Sequence, residues 1–200
     1  MPLQIASGVL TTMLAQTRVL FDGQPVPLIY VQSGQVTAIV PDAVAGKTST
    51  QLHVEYLGGK SNAITVPVAA AAPGIFSANS TGAGQGAILN QDNTYNSAAN
   101  PAAPSTILQI FATGEGQTDP PATDGKIASG VLPKPVLPVR VTIGGQDAEV
   151  LYYGAAPGQV AGVLQVNARV PTSGVLPGAV PVILTVGSFS SQAGTTTTVK

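Results

Sequence analysis

The sequence IASGVL at residues 5–10 recurs letter for letter at residues 127–132, at an offset of 127 − 5 = 122. Tyr30 and Tyr152 match at the same offset. Matched blocks that keep one order along a chain indicate an internal repeat, and a repeat organises the whole fold. We therefore expect two copies of one structural unit.

A second matched block shows that the copies differ in length. QVTAIVP at residues 35–41 matches QVNARVP at residues 165–171, at an offset of 165 − 35 = 130. Since the earlier offset is 122, the second copy has gained eight residues (130 − 122), around residues 154–162.

Each copy has the pattern of short strands joined by turns. Residues 18–21 and 26–30 flank Asp22-Gly23, and Asp-Gly supplies the positive φ that a tight hairpin turn needs. Residues 51–56 alternate polar and apolar, as a half-buried strand does. No segment sustains a period of 3.6 residues, so the sequence predicts an all-β fold of two tandem β-sandwich units.

The clearest strand, TILQIF at residues 106–111, has no counterpart in the first copy, because the offset of 122 would place it before Met1. The first unit is therefore predicted to lack its opening strand. Either the chain is part of a longer protein or another segment fills the gap. Unpaired amides at a sheet edge recruit foreign strands, so we hypothesise that a strand from elsewhere, such as a neighbouring molecule, completes this unit.

The repeat and the Pro/Gly/Ala-rich stretch between its copies divide the chain into three parts. Residues 1–72 are predicted to form the first unit, and residues 105–200 the second, more complete unit. Residues 73–104 are predicted to be a connector, with a hairpin around residues 91–94.

Composition excludes several classes of protein. Charged residues make up 8% of the chain and the net charge is −1, whereas a typical domain is about 25% charged. Nucleic-acid binding needs clustered Lys and Arg, and the eight cations here are scattered, so neither nucleic acid nor an anionic membrane surface is an expected partner. Disordered chains combine low hydrophobicity with high net charge, and this chain has neither.

The residue inventory also limits the chemistry and the targeting of the chain. There is no Cys, which excludes disulfides, thiolate metal sites and Cys nucleophiles. No apolar run reaches the ~18 residues of a transmembrane helix. MPLQ at residues 1–4 lacks the basic and apolar regions of a signal peptide, so we expect any export signal outside these residues. No Gly-rich phosphate loop opens a helix, and no cofactor is predicted.

His53 is the only histidine, so a Ser-His-Asp site would have to use it. His53 and Glu55 share one face of their strand, opposite Leu52 and Val54. A base oriented by a carboxylate and a solvated polar face both fit this pattern. Because no Gly-x-Ser-x-Gly elbow is present, we predict no catalytic residue and keep a small hydrolase, an esterase or a glycosidase, as an alternative.

Three carboxylates, Glu115, Asp119 and Asp124, lie in the Gly/Pro-rich stretch 113–125. They are candidates for a calcium site, because calcium takes carboxylate and backbone oxygens, or for a hydrolytic pair. Their spacing matches neither an EF-hand nor an RTX repeat. The alternative is a long surface loop that its acids keep solvated.

Residues 90–96, NQDNTYN, place amides and hydroxyls beside an aromatic ring. Asp92, Asn93 and Tyr95 are therefore candidates for binding a polysaccharide, and the alternative is a hairpin tip, where Asn and Asp favour turns. Strand alternation sends one of two neighbouring rings inward. Since Tyr152 matches Tyr30, we expect Tyr152 in the core and Tyr153 exposed as a further binding candidate.

Taken in order, eight stretches of the chain resemble an uncharacterised C-terminal domain family named after Solibacter and common in acidobacteria, and the units are similar to IPT/TIG immunoglobulin-like domains. The stretches are SNAITVPV at residues 61–68, APGIF at 72–76, GQGAILN at 84–90, NPAAP at 100–104, IFATG at 110–114, VTIGG at 141–145, AEVLY at 148–152 and LQVNARVP at 164–171.

The resemblance covers nearly the whole chain and implies immunoglobulin-like sandwiches in a secreted or surface-attached module of a larger protein. It implies no activity. We therefore expect a non-catalytic extracellular module that attaches, spaces or assembles a larger protein, with a carbohydrate-binding module as the alternative. The expected partners are a polysaccharide or another protein chain that adds a strand, and the oligomeric state stays open.

Overall fold

The computed structural model describes residues 1–200, and apart from one short 3-10 helix its regular structure consists of β-strands. Most strands pair in antiparallel fashion within two sandwich-like units, so the predicted all-β sandwich class is confirmed. No helix in the structure is long and apolar enough to span a bilayer.

The first unit has a larger and a smaller sheet. In the larger sheet, β4 pairs with β3, β3 with β7, and both β8 and β9 with β7; the smaller sheet is the β5–β6 hairpin, and β1–β2 is a separate hairpin. The elements are β1 Ile5–Ala6, β2 Val9–Leu10, β3 Thr17–Phe21, β4 Gln24–Pro25, β5 Leu28–Gln32, β6 Gln35–Ala38, the 3-10 helix Asp42–Val44, β7 Ser49–Tyr56, β8 Gly59–Lys60 and β9 Ile64–Pro67.

The second unit packs two larger sheets against each other. One has the order β10-β13-β19-β18 with β12 also on β13, and the other has the order β11-β22-β20-β16-β17 with β21 on β20. The strands are β10 Gly74–Ile75, β11 Gly84–Gln85, β12 Ile88–Leu89, β13 Ile107–Thr113, β14 Thr118–Asp119, β15 Lys134–Pro135, β16 Val139–Ile143, β17 Gln146–Ala148, β18 Val150–Ala155, β19 Leu164–Arg169, β20 Gly178–Val186, β21 Phe189–Ser190 and β22 Thr195–Val199.

The two units share their strand register residue by residue. Leu28 pairs with Ala38 in the first unit, and Val150 pairs with Ala168 in the second, each followed by the same irregularity in register. The β3–β7 and β16–β20 pairings also superpose at the offsets of 122 and 130. The sequence repeat therefore reflects equivalent positions in two copies of one strand arrangement.

Residues 73–104 belong to the sheets of the second unit, whereas the sequence predicts a connector. β10 and β12 pair with β13, and β11 pairs in parallel with β22. Ile75, Ile88 and Ala102 are buried in the core of that unit. The strands here are two residues long, too short for an alternating pattern to show. The predicted hairpin around residues 91–94 is present, closed by a bridge between Leu89 and Tyr95.

The hydrophobic cores of the two units differ in size. The second core contains 18 buried residues, whereas the first contains seven. Leu108, Ile110 and Ala112 of β13 are all 0% exposed and form the centre of the second core. Within residues 1–200 no strand pairs with β6 as β13 pairs with β19, and the smaller core of the first unit is consistent with that difference.

The units touch through the repeated IASGVL blocks. The Leu10 N–H donates to the Gly125 carbonyl at 2.9 Å, and the Ile127 N–H donates to the Gly8 carbonyl at 3.1 Å. The stretch that follows β13 is thereby held against the first unit.

Candidate functional site

The first unit has an unpaired sheet edge at β6. β6 pairs only with β5, whereas its equivalent β19 lies between β18 and β13. Met1 and Pro2 pair on the far side of β5, so they leave β6 uncovered. We call residues 35–40, from the start of β6 to Val40, the open edge.

The hydrogen-bonding groups of Val36 point away from β5. Val36 is opposite Val31, whose N–H donates to the Met1 carbonyl at 3.1 Å on the far side of β5. In an antiparallel pair, opposite residues either bond each other or both face outward. Val36 therefore presents its N–H and C=O to the open side, whereas its counterpart Val166 has Ile110 of β13 opposite it there.

The open edge continues beyond β6 to Val40. Val40 is 61% exposed and makes no backbone hydrogen bond. Its counterpart Val170 is 1% exposed; its N–H donates to the Thr106 carbonyl and its carbonyl accepts from the Ser105 N–H, both at 2.9 Å. The residues leading into β13 thus cover Val170, and nothing in the first unit covers Val40.

A set of half-buried apolar side chains occupies the side of the first unit that β13 covers in the second. It is formed by Val36, Ala38, Leu52, Val54 and Val68, which pack on the first core but remain partly exposed. We call this set the apolar cleft. Their equivalents in the second unit are closed off beneath β13: Val166, Ala168, Val182 and Leu184 are 0% exposed and Val199 is 3% exposed.

The acidic loop of the second unit faces the first unit. Glu115 is 5% exposed, and its Oε2 has no hydrogen-bond partner. Asp42 of the 3-10 helix donates its backbone N–H to Asp124 Oδ1 at 3.2 Å. Asp119 lies exposed on β14. Of the three carboxylates predicted together, Glu115 and Asp124 therefore face Asp42, a residue that no sequence pattern linked to them.

Burial and mutual repulsion raise the pKa values of these acids. Burial, and then the charge of Asp42, raise the pKa of Glu115 to about 7. Burial, and then the charge of Asp124, raise the pKa of Asp42. A carboxyl as buried as that of Glu115 favours its neutral form, and no group of three or more His, Cys, Asp or Glu side chains is arranged to hold a metal ion. The arrangement can therefore take up and release a proton near neutral pH.

The polar groups of residues 90–96 are engaged in hydrogen bonds within the chain, most of them to residues outside this stretch. Asp92 accepts from the Thr94 hydroxyl at 2.5 Å, and Asn93 Oδ1 accepts from the side chain of Gln109 at 2.8 Å. The Asn96 side chain is buried and holds the backbone of Thr198 in β22. Of this stretch, Tyr95 presents a ring to solvent, and its residue is 75% exposed.

Tyr152 and Tyr153 are both half-buried, and Tyr153 rather than Tyr152 packs against the second core, although the match of Tyr152 with Tyr30 predicts Tyr152 there. Tyr153 packs against the second core, while the Tyr152 hydroxyl donates to the Ala155 carbonyl at 2.9 Å. The cause is the irregularity between Val150 and Tyr152, which inserts one residue and reverses the alternation beyond it. The same irregularity follows Leu28, and it places Val31 in the first core.

His53 and Glu55 lie in a cluster of ion pairs. Glu55 is buried, bonds to Arg18, and accepts from Lys60 Nζ at 3.1 Å. The Lys60 and Arg18 hydrogen bonds outweigh burial and lower the pKa of Glu55. His53 Nε2 lies 3.8 Å from Glu55 Oε1 and has no hydrogen-bond partner. The Glu55 carboxylate on β7 therefore links this strand to its two neighbours, β3 through Arg18 and β8 through Lys60. It does not orient the His53 imidazole.

Comparison with known proteins identifies no relatives: no protein-family model, curated protein or solved structure matches this chain. The candidate site therefore rests on the contrast between the two units. Sequence reasoning identified the missing strand but not Val40 and Val68. The match of Val40 with Val170 at the offset of 130 is the signal that would have found Val40. Val68 corresponds to Val199 only in the strand register, in which the Ser49–Pro67 pair matches the Ala179–Thr198 pair.

Proposed function

We propose that this chain is a non-catalytic interaction module that acts outside the cell and attaches, spaces or assembles a larger protein. The observation that supports this function is the open edge of the first unit beside a second unit in which the same edge is paired. The extracellular setting comes from the sequence resemblance and is part of the proposal.

The open edge lacks two of the features that keep edge strands from pairing, charged residues and prolines. Natural edges are protected by charges, prolines, bulges or a covering segment. Residues 35–40, QVTAIV, contain no charged residue and no proline. An added strand would bond to the outward N–H and C=O of Val36, and the apolar cleft would accept its side chains.

A hydrolase is the less favoured function, because its candidate groups have other contacts. Glu55 is engaged by Arg18 and Lys60, and Glu115 is buried beside Asp42 while Asp119 lies exposed on β14. A carbohydrate-binding module remains the second candidate on one observation, the solvent-facing ring of Tyr95.

Selection from a library of extended peptides on the immobilised chain tests the proposal, with a polysaccharide panel run in parallel with and without calcium. We expect saturable peptide binding that Val36→Lys abolishes. Thr37→Lys is the matched control, because it adds the same charge on the opposite face of β6. Saturable glycan binding that Tyr95→Ala removes, without peptide binding, would establish the carbohydrate-binding alternative instead.

A further inference from the structure

We propose that the open edge accepts an extended segment from outside residues 1–200, antiparallel to β6, whose aliphatic side chains at alternate positions fill the apolar cleft. This inference rests on the proposed interaction function and specifies its partner. The second unit supplies the template, because β13 makes the same interface with β19 within the chain.

The template specifies which partner residues face β6. In the second unit Leu108 lies opposite Ala168 and Ile110 lies opposite Val166, in antiparallel register. Ala168 and Val166 correspond to Ala38 and Val36 at the offset of 130. The partner segment therefore has a large aliphatic residue opposite each of Ala38 and Val36, separated by one outward-facing residue.

The apolar cleft provides the contacts for these two side chains. In the second unit, Leu108 and Ile110 are fully buried. The equivalent space in the first unit is bounded by Leu52 and Val54 of β7 and by Val68, each still partly exposed. Burying two aliphatic side chains in a cleft already lined by apolar groups supplies the main favourable term for binding.

The two ends of the open edge set the length of the segment. Ala112 of β13 faces Leu164, whose counterpart is Gly34 in the tight β5–β6 turn. At the other end, Val40 offers its N–H and C=O as Val170 does to the residues leading into β13. The partner therefore spans about six residues and has two anchoring side chains. The partner residue opposite Gly34 can be of any type, because Gly34 has no side chain to contact it.

A second copy of this chain fits the site less well. Pairing two β6 edges about a two-fold axis would join the two hairpins, but Val36 and Ala38 of each copy already pack on their own core. Neither copy would supply a side chain to the cleft of the other. The half-exposed apolar side chains of the first unit therefore favour an aliphatic segment without a sheet of its own.

A synthetic peptide with the sequence of residues 105–113, STILQIFAT, tests the inference against the full chain. We expect saturable one-to-one binding by fluorescence anisotropy. Replacing the peptide isoleucine that corresponds to Ile110 with lysine should weaken binding at least about tenfold, because a buried aliphatic anchor is lost. The matched peptide, with lysine at the position of Gln109, should bind like the parent, since that residue faces outward.

Variants of the chain identify where the peptide binds. Val36→Lys should remove binding and Thr37→Lys should retain it, with circular dichroism used to compare their folding. The inference is overturned if the peptide fails to bind, if Val36→Lys leaves binding unchanged, or if both lysine peptides bind equally. It is also overturned if the chain forms a dimer that Val36→Lys dissociates, since the occupant is then a second copy. Library peptides of another pattern that bind at Val36 would retain the interaction function while overturning this partner.

Discussion

At the scale of single residues, Glu115 is a carboxylate that the fold holds out of water. It is 5% exposed, and its Oε2 has no hydrogen-bond partner. Burial is the main cause of its raised pKa, and the charge of Asp42 adds to it. Such a residue makes stability depend on pH near neutrality, because the unfolded chain releases its proton more readily than the folded chain.

Glu115→Gln is expected to stabilise the chain at pH 8 and to leave it unchanged at pH 4. The folded pKa of about 7 lies above the ordinary value of 4.5, so wild-type stability falls as pH rises through this interval. The full difference is at most about 3 kcal/mol. Urea unfolding between pH 4 and pH 8 measures it, with the exposed Asp119→Asn as the control. Equal stability of wild type and Glu115→Gln at pH 8 would contradict this assignment.

Asn96 is a second informative residue, because its buried side-chain amide makes hydrogen bonds to several neighbouring residues. Its Oδ1 accepts from the Thr198 N–H at 2.7 Å and from the Thr197 hydroxyl at 2.9 Å, and its Nδ2 donates to Asn90 Oδ1 at 2.9 Å. Removing one partner leaves buried groups without hydrogen bonds, which costs about 1–3 kcal/mol per group.

Asn96→Ala is therefore expected to destabilise the chain by about 3 kcal/mol. Asp92→Ala removes only exposed hydrogen bonds to Thr94, and should cost less than about 1 kcal/mol. Chemical denaturation of both variants measures the difference. Similar losses in the two variants would show that the buried amide contributes no more than its exposed neighbour.

At the scale of strands, equivalent positions in β6 and β19 have different surroundings. Val36 and Val166 occupy the same place in the repeat, yet only Val166 is fully buried, at 0% exposure. The cost of truncating a side chain depends on how many neighbours it loses. Comparing the cost of truncating Val36 with that of truncating Val166 therefore measures how much β13 adds to stability, because the local sequence of the two strands is almost unchanged.

Val166→Ala is expected to cost about 2–3 kcal/mol, and Val36→Ala about 1 kcal/mol, in the free chain. When the STILQIFAT peptide is bound, the cost of Val36→Ala should approach that of Val166→Ala, because the cleft is then closed. Unfolding of each variant with and without peptide measures this change. Equal costs in the free chain would mean that the first unit is already as closed as the second.

The sequence predicts most of these strands because the repeat fixes their equivalence. The change of offset from 122 to 130 matches the observed register of β5–β6 and β18–β19. Two features of the structure could not be predicted from the sequence, for physical reasons. The irregularity after Val150 reverses the tyrosines without altering any local pattern, and the two-residue strands β10–β12 are specified by contacts with β13 and β22 rather than by their own periodicity.

The candidate site is predicted only in part, because it depends on what surrounds each residue. The open edge follows from the position of residues 106–111 in the repeat, since their counterpart falls outside residues 1–200. The burial of Glu115 does not, because Asp42 is 73 residues away in sequence (115 − 42) and meets it only through contact between the units. The turn interpretation of residues 90–96 follows from local chemistry, in keeping with the hydrogen bond between Thr94 and Asp92, whereas the bond from Gln109 to Asn93 joins the turn to β13.

At the scale of the whole molecule, one chain contains a closed sandwich and an open one. The first core has seven buried residues and the second has 18. Small units bury a lower fraction of their surface and are correspondingly marginal. A strand that binds the folded first unit stabilises it by mass action, by about 2.7 kcal/mol at a ligand concentration 100 times Kd. Partner binding and the stability of the first unit are therefore linked.

Amide hydrogen exchange at the two equivalent edges tests this account most directly, because exchange reports which amides are open to water. We expect residues 35–40 to exchange faster than residues 165–170 in the free chain, and to slow to a similar rate when the STILQIFAT peptide is saturating. Equal protection of the two edges in the free chain, or no slowing when peptide is added, would contradict the claim that the first unit is an open acceptor for a strand.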